Sequence, residues 1–227
     1  ASVAIVEDEN QIAEYTVNYK KTHSQTLLPM LDELAKMTEL DLDTIDAIAV
    51  AAGPGSFTGL RIGSATAKGL GLALKKPLVE IPTVDALAYN LYDAKALVCP
   101  IMDARRSQVY TGIYRFEDHK LVTVEAQMAV PMSELIEKLN VRGEEVIFLG
   151  DGVPVFAQMI RENLKVPYSF APAHVNKQRA AAVAALGEIY LKEGKEVTAM
   201  EHVPEYLRVS QAERERAQKL QEEKSVK

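Results

Sequence analysis

Gly53-Pro54-Gly55-Ser56 is the stretch of this 227-residue chain with the clearest chemical potential. It follows a short apolar run at 45–52 and precedes a long helical pattern at 58–74. In a strand, glycine-turn, helix layout, the unpaired N–H groups at the helix start can hold an anion or receive another backbone at close range. Gly53 and Gly55 permit positive φ, Pro54 fixes a dihedral between them, and Ser56 or Thr58 can cap the helix. No Gly-Lys-Ser/Thr follows, so this is not a Walker A loop, nor is it a dinucleotide fingerprint. Two readings stand: a phosphate-facing turn formed by Gly53, Pro54, Gly55 and Ser56, or a turn that is merely tight.

Other chemistry finds less support. His23, His119, His174 and His202 are far apart, and none has a second His or Cys three or four residues away, so no metal site is expected. Cys99 lies inside an apolar run and reads as a buried thiol. A serine nucleophile lacks its Gly-x-Ser-x-Gly elbow. Asp103 and Arg105 fall where a strand runs into a turn, either as a functional carboxylate or as a turn satisfied by its own ion pair. No catalytic residues are assigned.

These residues need a scaffold, and the pattern supplies one. A strand at 2–6 and its hairpin partner at 11–19 precede a helix that Thr22 or Ser24 starts, with Leu27, Leu28, Leu31, Leu34 and Ala35 as its core stripe. Met30 and Met37 lie off that stripe, as core filler or as a second apolar face. A strand, the glycine turn and the helix follow, and in that helix Gly59, Gly63, Ala67 and Gly71 recur every four residues. Glycine costs up to ~1 kcal/mol against alanine inside a helix, so the row calls for close approach of another backbone, from this chain or a second subunit. Lys75-Lys76-Pro77 stops the helix. After a strand at 78–81 and a helix at 84–91 the plan restarts: strands at 96–102, 109–116 and 120–128, a helix at 133–139, a strand at 146–149, and helices at 156–164 and 178–193. This weak internal duplication predicts two α/β lobes, 1–95 and 96–203. A charged helical tail at 204–227 is expected to pack back on the first lobe and then run into solvent.

Composition sets limits. With 48% hydrophobic residues the chain can bury a core, and its net charge of −6 does not suit gripping nucleic acid unaided. One cysteine, no membrane-length apolar run and no signal pattern predict a cytoplasmic protein without membrane contact. The sequence starts at Ala1 without a methionine and enters Val3-Ala4-Ile5-Val6 at once, so a preceding strand is expected to be missing.

Ala52-Gly53-Pro54-Gly55-Ser56-Phe57-Thr58-Gly59-Leu60-Arg61-Ile62-Gly63 resembles the bacterial TsaB (YeaZ) family of glycoprotease-like proteins. So, in family order, do His23-Ser24-Gln25 with Leu27-Leu28-Pro29, Lys68-Gly69-Leu70, Lys76-Pro77-Leu78, Asp103-Ala104-Arg105-Arg106 and Pro204-Glu205-Tyr206-Leu207-Arg208. The resemblance implies the actin-like, sugar-kinase-like ATPase fold of two ribonuclease-H-type lobes. It also implies a non-catalytic subunit in the threonylcarbamoylation of N6 of the adenosine beside the tRNA anticodon, in support of the catalytic paralogue TsaD and with TsaE in a larger complex. Homodimerisation through the same first-lobe helices is expected when TsaD is absent, and tRNA contact only indirectly. Residues that fit such an interface are Leu27, Met30, Leu34, Met37, Gly59, Gly63, Ala67, Lys68 and Gly71. TsaD-like paralogues carry a histidine metal pair where this chain has Thr83 and Leu87, so no metal is implied. The family's first strand, ending in Asp-Thr-Ser, has no counterpart in the sequence. No cofactor is expected, ATP or ADP entering only at a complex interface or in a longer form of the protein. An ATP-dependent phosphotransferase of the same superfold is the alternative, with a metallopeptidase further behind.

Overall fold

β1 (Ser2–Glu7) and β2 (Asn10–Thr16) form an antiparallel hairpin, and α1 (His23–Met37) lies against it. The structure, a computed structural model, describes residues 1–19 and 23–208. The expected helix start at Thr22 and the charged tail from Ser210 lie outside the described residues. A 3-10 turn at Leu42–Thr44 leads into β3 (Ile48–Gly53), α2 (Phe57–Leu74) and β4 (Leu78–Pro82). β3 and β4 pair in parallel, as a strand–helix–strand crossover requires. Ser56 caps α2 through its hydroxyl, which accepts from the N–H of Gly59 at 3.4 Å, and Lys75 ends the helix in the left-handed region at φ 55°.

The second lobe is a five-stranded sheet in the order β7-β6-β5-β8-β9. β5 (Leu97–Asp103), β6 (Gln108–Glu117) and β7 (Lys120–Pro131) form an antiparallel meander; β8 (Val146–Leu149) and β9 (Tyr168–Phe170) add in parallel through α4 (Met132–Arg142) and α5 (Val153–Asn163). β5 is central and covered on both faces, which explains why its sequence is apolar from Leu97 to Met102 and not alternating. Cys99, Ile101 and Ile113 pack with Leu135, Phe148 and Ile160 on one side. On the other side α3 (Thr83–Tyr89) brings Val84 and Leu87 against Val98, Tyr114 and Leu149.

One expected boundary moves. The sequence pattern places 96–203 in the second lobe, yet α6 (Ala180–Lys192) packs across β1, β2, β3 and β4, and β10 (Glu196–Val197) pairs with β4. The reason is the small side chains that made the helix look bland. A Cβ on Gly187 would stand 2.7 Å from that of Ala49, so only glycine lets α6 settle this closely on β3. The hairpin clasps the helix start: Ser2 Oγ accepts from the N–H of Ala180 at 2.9 Å. Glu14 accepts from Ala181 at 3.0 Å and from the Arg179 guanidinium, placing a carboxylate at the positive end of the helix.

α1 is also rotated from its expected phase. Met30, 4% exposed, and Leu34 pack on Val3, with Leu27 and Leu31 beside them, whereas Leu28 is 54% exposed. Met30 is therefore core and not part of an open face; Met37, 80% exposed, is the methionine left outside. The adjacent pair Leu27-Leu28 placed the stripe's centre too far round the helix.

The glycine row on α2 divides in two. Ala67 and Gly71 are buried against the chain's own Leu78 and Ala199, and a Cβ on Gly71 would come within 2.4 Å of Leu78 Cδ1. Among the described residues, an added Cβ at Gly63 would meet nothing within 4 Å, and at Gly59 only the Ser56 side chain of its own helix start. Ala67 and Gly71 thus leave the proposed interface, buried by their own sheet. Denaturant unfolding separates the two halves: Gly71→Ala costs about 1–3 kcal/mol through overpacking, while Gly63→Ala gains up to ~1 kcal/mol from helix propensity.

Candidate functional site

The glycine turn is held from both ends. β3 delivers Gly53 at φ 130°, a conformation open to glycine, followed by a cis peptide to Pro54; both residues are buried. Gly55 is half-buried and Ser56 exposed as α2 begins. Lying on the turn is the chain's own segment 202–208. The N–H of Glu205 donates to the Ala52 carbonyl at 2.7 Å, and its carbonyl sits so near Gly53 that a Cβ there would be 2.2 Å from the oxygen. Tyr206 packs on Phe57 with ring centroids 4.8 Å apart, and the Arg61 guanidinium lies 4.0 Å from the centre of the same Phe57 ring. Lys68 does not reach outward: its ammonium donates to the His202 carbonyl at 2.8 Å.

This intrachain use of Lys68, Phe57 and Arg61 has no signal in the sequence. The motif at 204–208 was visible, but nothing local links residue 206 to residue 57. Leu34 is likewise occupied in the core, and Leu27 is partly so. The proposed interface positions that stay accessible are Met37, Gly59 and Gly63, on α1 and α2.

Against known proteins, residues 11–216 match the model of the family described as TsaD, tRNA N6-adenosine threonylcarbamoyltransferase. A Bacillus subtilis protein, tRNA threonylcarbamoyladenosine biosynthesis protein TsaB, is 34% identical over 93% of this chain and 90% of its own length. The chain belongs to the TsaB family. Among solved structures, a protein with similarity to the peptidase YeaZ from Pseudomonas aeruginosa superposes with a TM-score of 0.78 at 26% identity, covering 91% of this chain and 94% of that one. YeaZ from Pseudomonas aeruginosa gives 0.74 at 26%, over 91% and 93%. The mixed α/β architecture read from the sequence is the one these TsaB relatives share.

In this TsaB-family chain the two positions compared with a metal pair are part of the packing. Thr83 is 7% exposed at the start of α3, and Leu87, 1% exposed, fills the face of the second sheet. Among the described residues, no three His, Cys, Asp or Glu side chains converge in a metal-holding group, and no helix is long and apolar enough to cross a membrane. Burial pushes the Cys99 thiol up to about 12, against the opposing pull of the Thr111 hydroxyl beside it. Asp103 accepts from the N–H of Arg105 at 2.8 Å and pairs with its guanidinium at 3.2 Å, so the turn satisfies its own carboxylate.

Asp85 is the polar group that pattern reading missed. It sits on α3 between the lobes, where the Tyr114 hydroxyl donates to it at 2.7 Å. Burial pushes its carboxyl above the usual range, against the opposing pull of the Tyr114 and Tyr190 hydroxyls, and the Glu205 charge adds to the rise. The folded protein therefore binds this proton more tightly than the unfolded chain. The stabilisation is complete below the ordinary carboxylate range and is lost as pH climbs through the raised value. Asp85→Asn keeps an acceptor for Tyr114 and cannot ionise, so its urea midpoint should fall less between pH 4 and pH 7 than the parent's. Parallel curves would refute this.

Proposed function

We propose that this chain is a partner subunit in tRNA threonylcarbamoyladenosine biosynthesis, docking a TsaD-type catalytic paralogue through α1 and α2. The observation that carries the reading is the half-buried end of the α2 glycine row, where the described residues leave room beside the helix. Gly59 and Gly63 present a helix surface without side chains, which among the described residues only the Ser56 side chain beside Gly59 approaches, and this is a surface a second helix can approach closely. On α1, Met37 is 80% exposed and offers an adaptable apolar side chain to the same partner. The TsaB relative covering nine-tenths of its length with this chain supports the pathway. The net charge of −6 supports a tRNA carried by the partner and not by this subunit.

The finer assembly follows the same surface. A TsaE-type ATPase joins the larger complex, and two copies of this chain pair through α1 and α2 when the catalytic subunit is missing. The work is done in the cytoplasm, and the subunit needs no cofactor of its own.

Mixing the chain with TsaD, TsaE, tRNA and threonylcarbamoyl-adenylate, then measuring modified tRNA, tests the role. Omitting the chain should abolish most of the product. Gly63→Glu and Met37→Glu should each lower product and pull-down of TsaD at least tenfold while leaving thermal stability close to the parent's. Met30→Asp is the control for the corrected position: it should destabilise the fold by at least about 3 kcal/mol, since it buries an unpaired charge. Full product without the chain, or undiminished TsaD capture by Gly63→Glu, would overturn the proposal.

A further inference from the structure

We propose that residues 202–208 form a strap that bolts the two lobes together across the glycine turn, so that the turn is filled from within the chain and not by a phosphate-bearing ligand. The strap enters from the first lobe. There His202 is buried, its Nδ1 lying 2.5 Å from Glu80 Oε1 on β4, while Lys68 on α2 holds its carbonyl. At the turn, the backbone of residue 205 bonds to Ala52 and presses on Gly53. Tyr206 then closes over Phe57 at the start of α2.

The same few residues reach the second lobe. Gln127 on β7 donates to Glu205 Oε2 at 2.7 Å, and the Arg208 guanidinium donates to the Ala104 carbonyl at 2.6 Å, at the β5–β6 turn. Glu205 is thus fixed on both sides, its backbone to one lobe and its side chain to the other.

Gly53 takes a different meaning from this geometry. Its missing side chain is required by the approach of the Glu205 carbonyl, which any Cβ would block. At 100° per residue, the strap anchors Phe57 and Lys68 lie on a different flank of α2 from Gly59 and Gly63. The bolt and the partner face are therefore independent, and neither test reads the other.

Hydrogen exchange on the full chain decides the matter. Tyr206→Ala/Arg208→Ala should speed exchange at least tenfold in both 52–57 and 202–208, leaving the buried strands at 98–101 and 146–149 as slow as in the parent. Millimolar MgATP should leave exchange at 52–57 in the parent unchanged. If the double variant exchanges throughout, the single Arg208→Ala substitution, remote from both cores, carries the same comparison at 52–57. A variant that exchanges like the parent at 52–57, or protection of 52–57 by MgATP in the parent, overturns the proposal.

Discussion

The first lobe depends on how closely α6 can lie on β3. β1–β2 and β3–β4–β10 are two separate sheets among the described residues, and α6 packs against strands of both. Small side chains make this span workable: Gly187 lets the helix touch Ala49, and Glu14 and Ser2 fasten its first turn to the hairpin. A larger residue at 187 would lift the helix from β3 and loosen its hold on the hairpin at the same time. α1 rests on that hairpin, α2 rests on β3, and the two helices also touch each other, so the seat of α6 on β3 and their own packing together set their relative position.

That arrangement explains the division of labour on α2. Its buried side follows the sheet through Leu60, Ser64, Ala67 and Gly71; another flank receives the strap through Phe57, on which Arg61 also lies, and Lys68; the side with Gly59 and Gly63 is left partly open by the described residues. A helix with three duties cannot be summarised by one repeat. The four-residue rhythm of small residues is continuous in sequence but winds across the surface, so its later members meet the chain's own core and its earlier members do not.

Much of the architecture was legible because it is local. The hairpin, the parallel β3–α2–β4 unit, the meander of the second lobe and the helix stop at Lys75 all leave period, cap or turn signals within a dozen residues. What escaped was non-local or very short. β9 and β10 span three and two residues and have too little pattern to register. The return of α6 to the first lobe is encoded in small side chains that look the same whichever sheet they meet. In α1, adjacent leucines misplaced the buried stripe by a fraction of a turn, enough to put Met30 on the wrong side. At the site, the glycine turn itself was plain, but Tyr206 over Phe57 and Arg208 on Ala104 join residues more than a hundred positions apart.

The order in which the chain leaves the ribosome acquires significance from β10 and α6. The second lobe's sheet is complete once residue 170 has emerged, whereas the first lobe waits for residues 180–197 to cover it. Domains made of one continuous stretch close early, and pairings between distant segments come late. The half made first is therefore finished second. Until then the hairpin and β3 offer uncovered apolar faces to chaperones, or to one another.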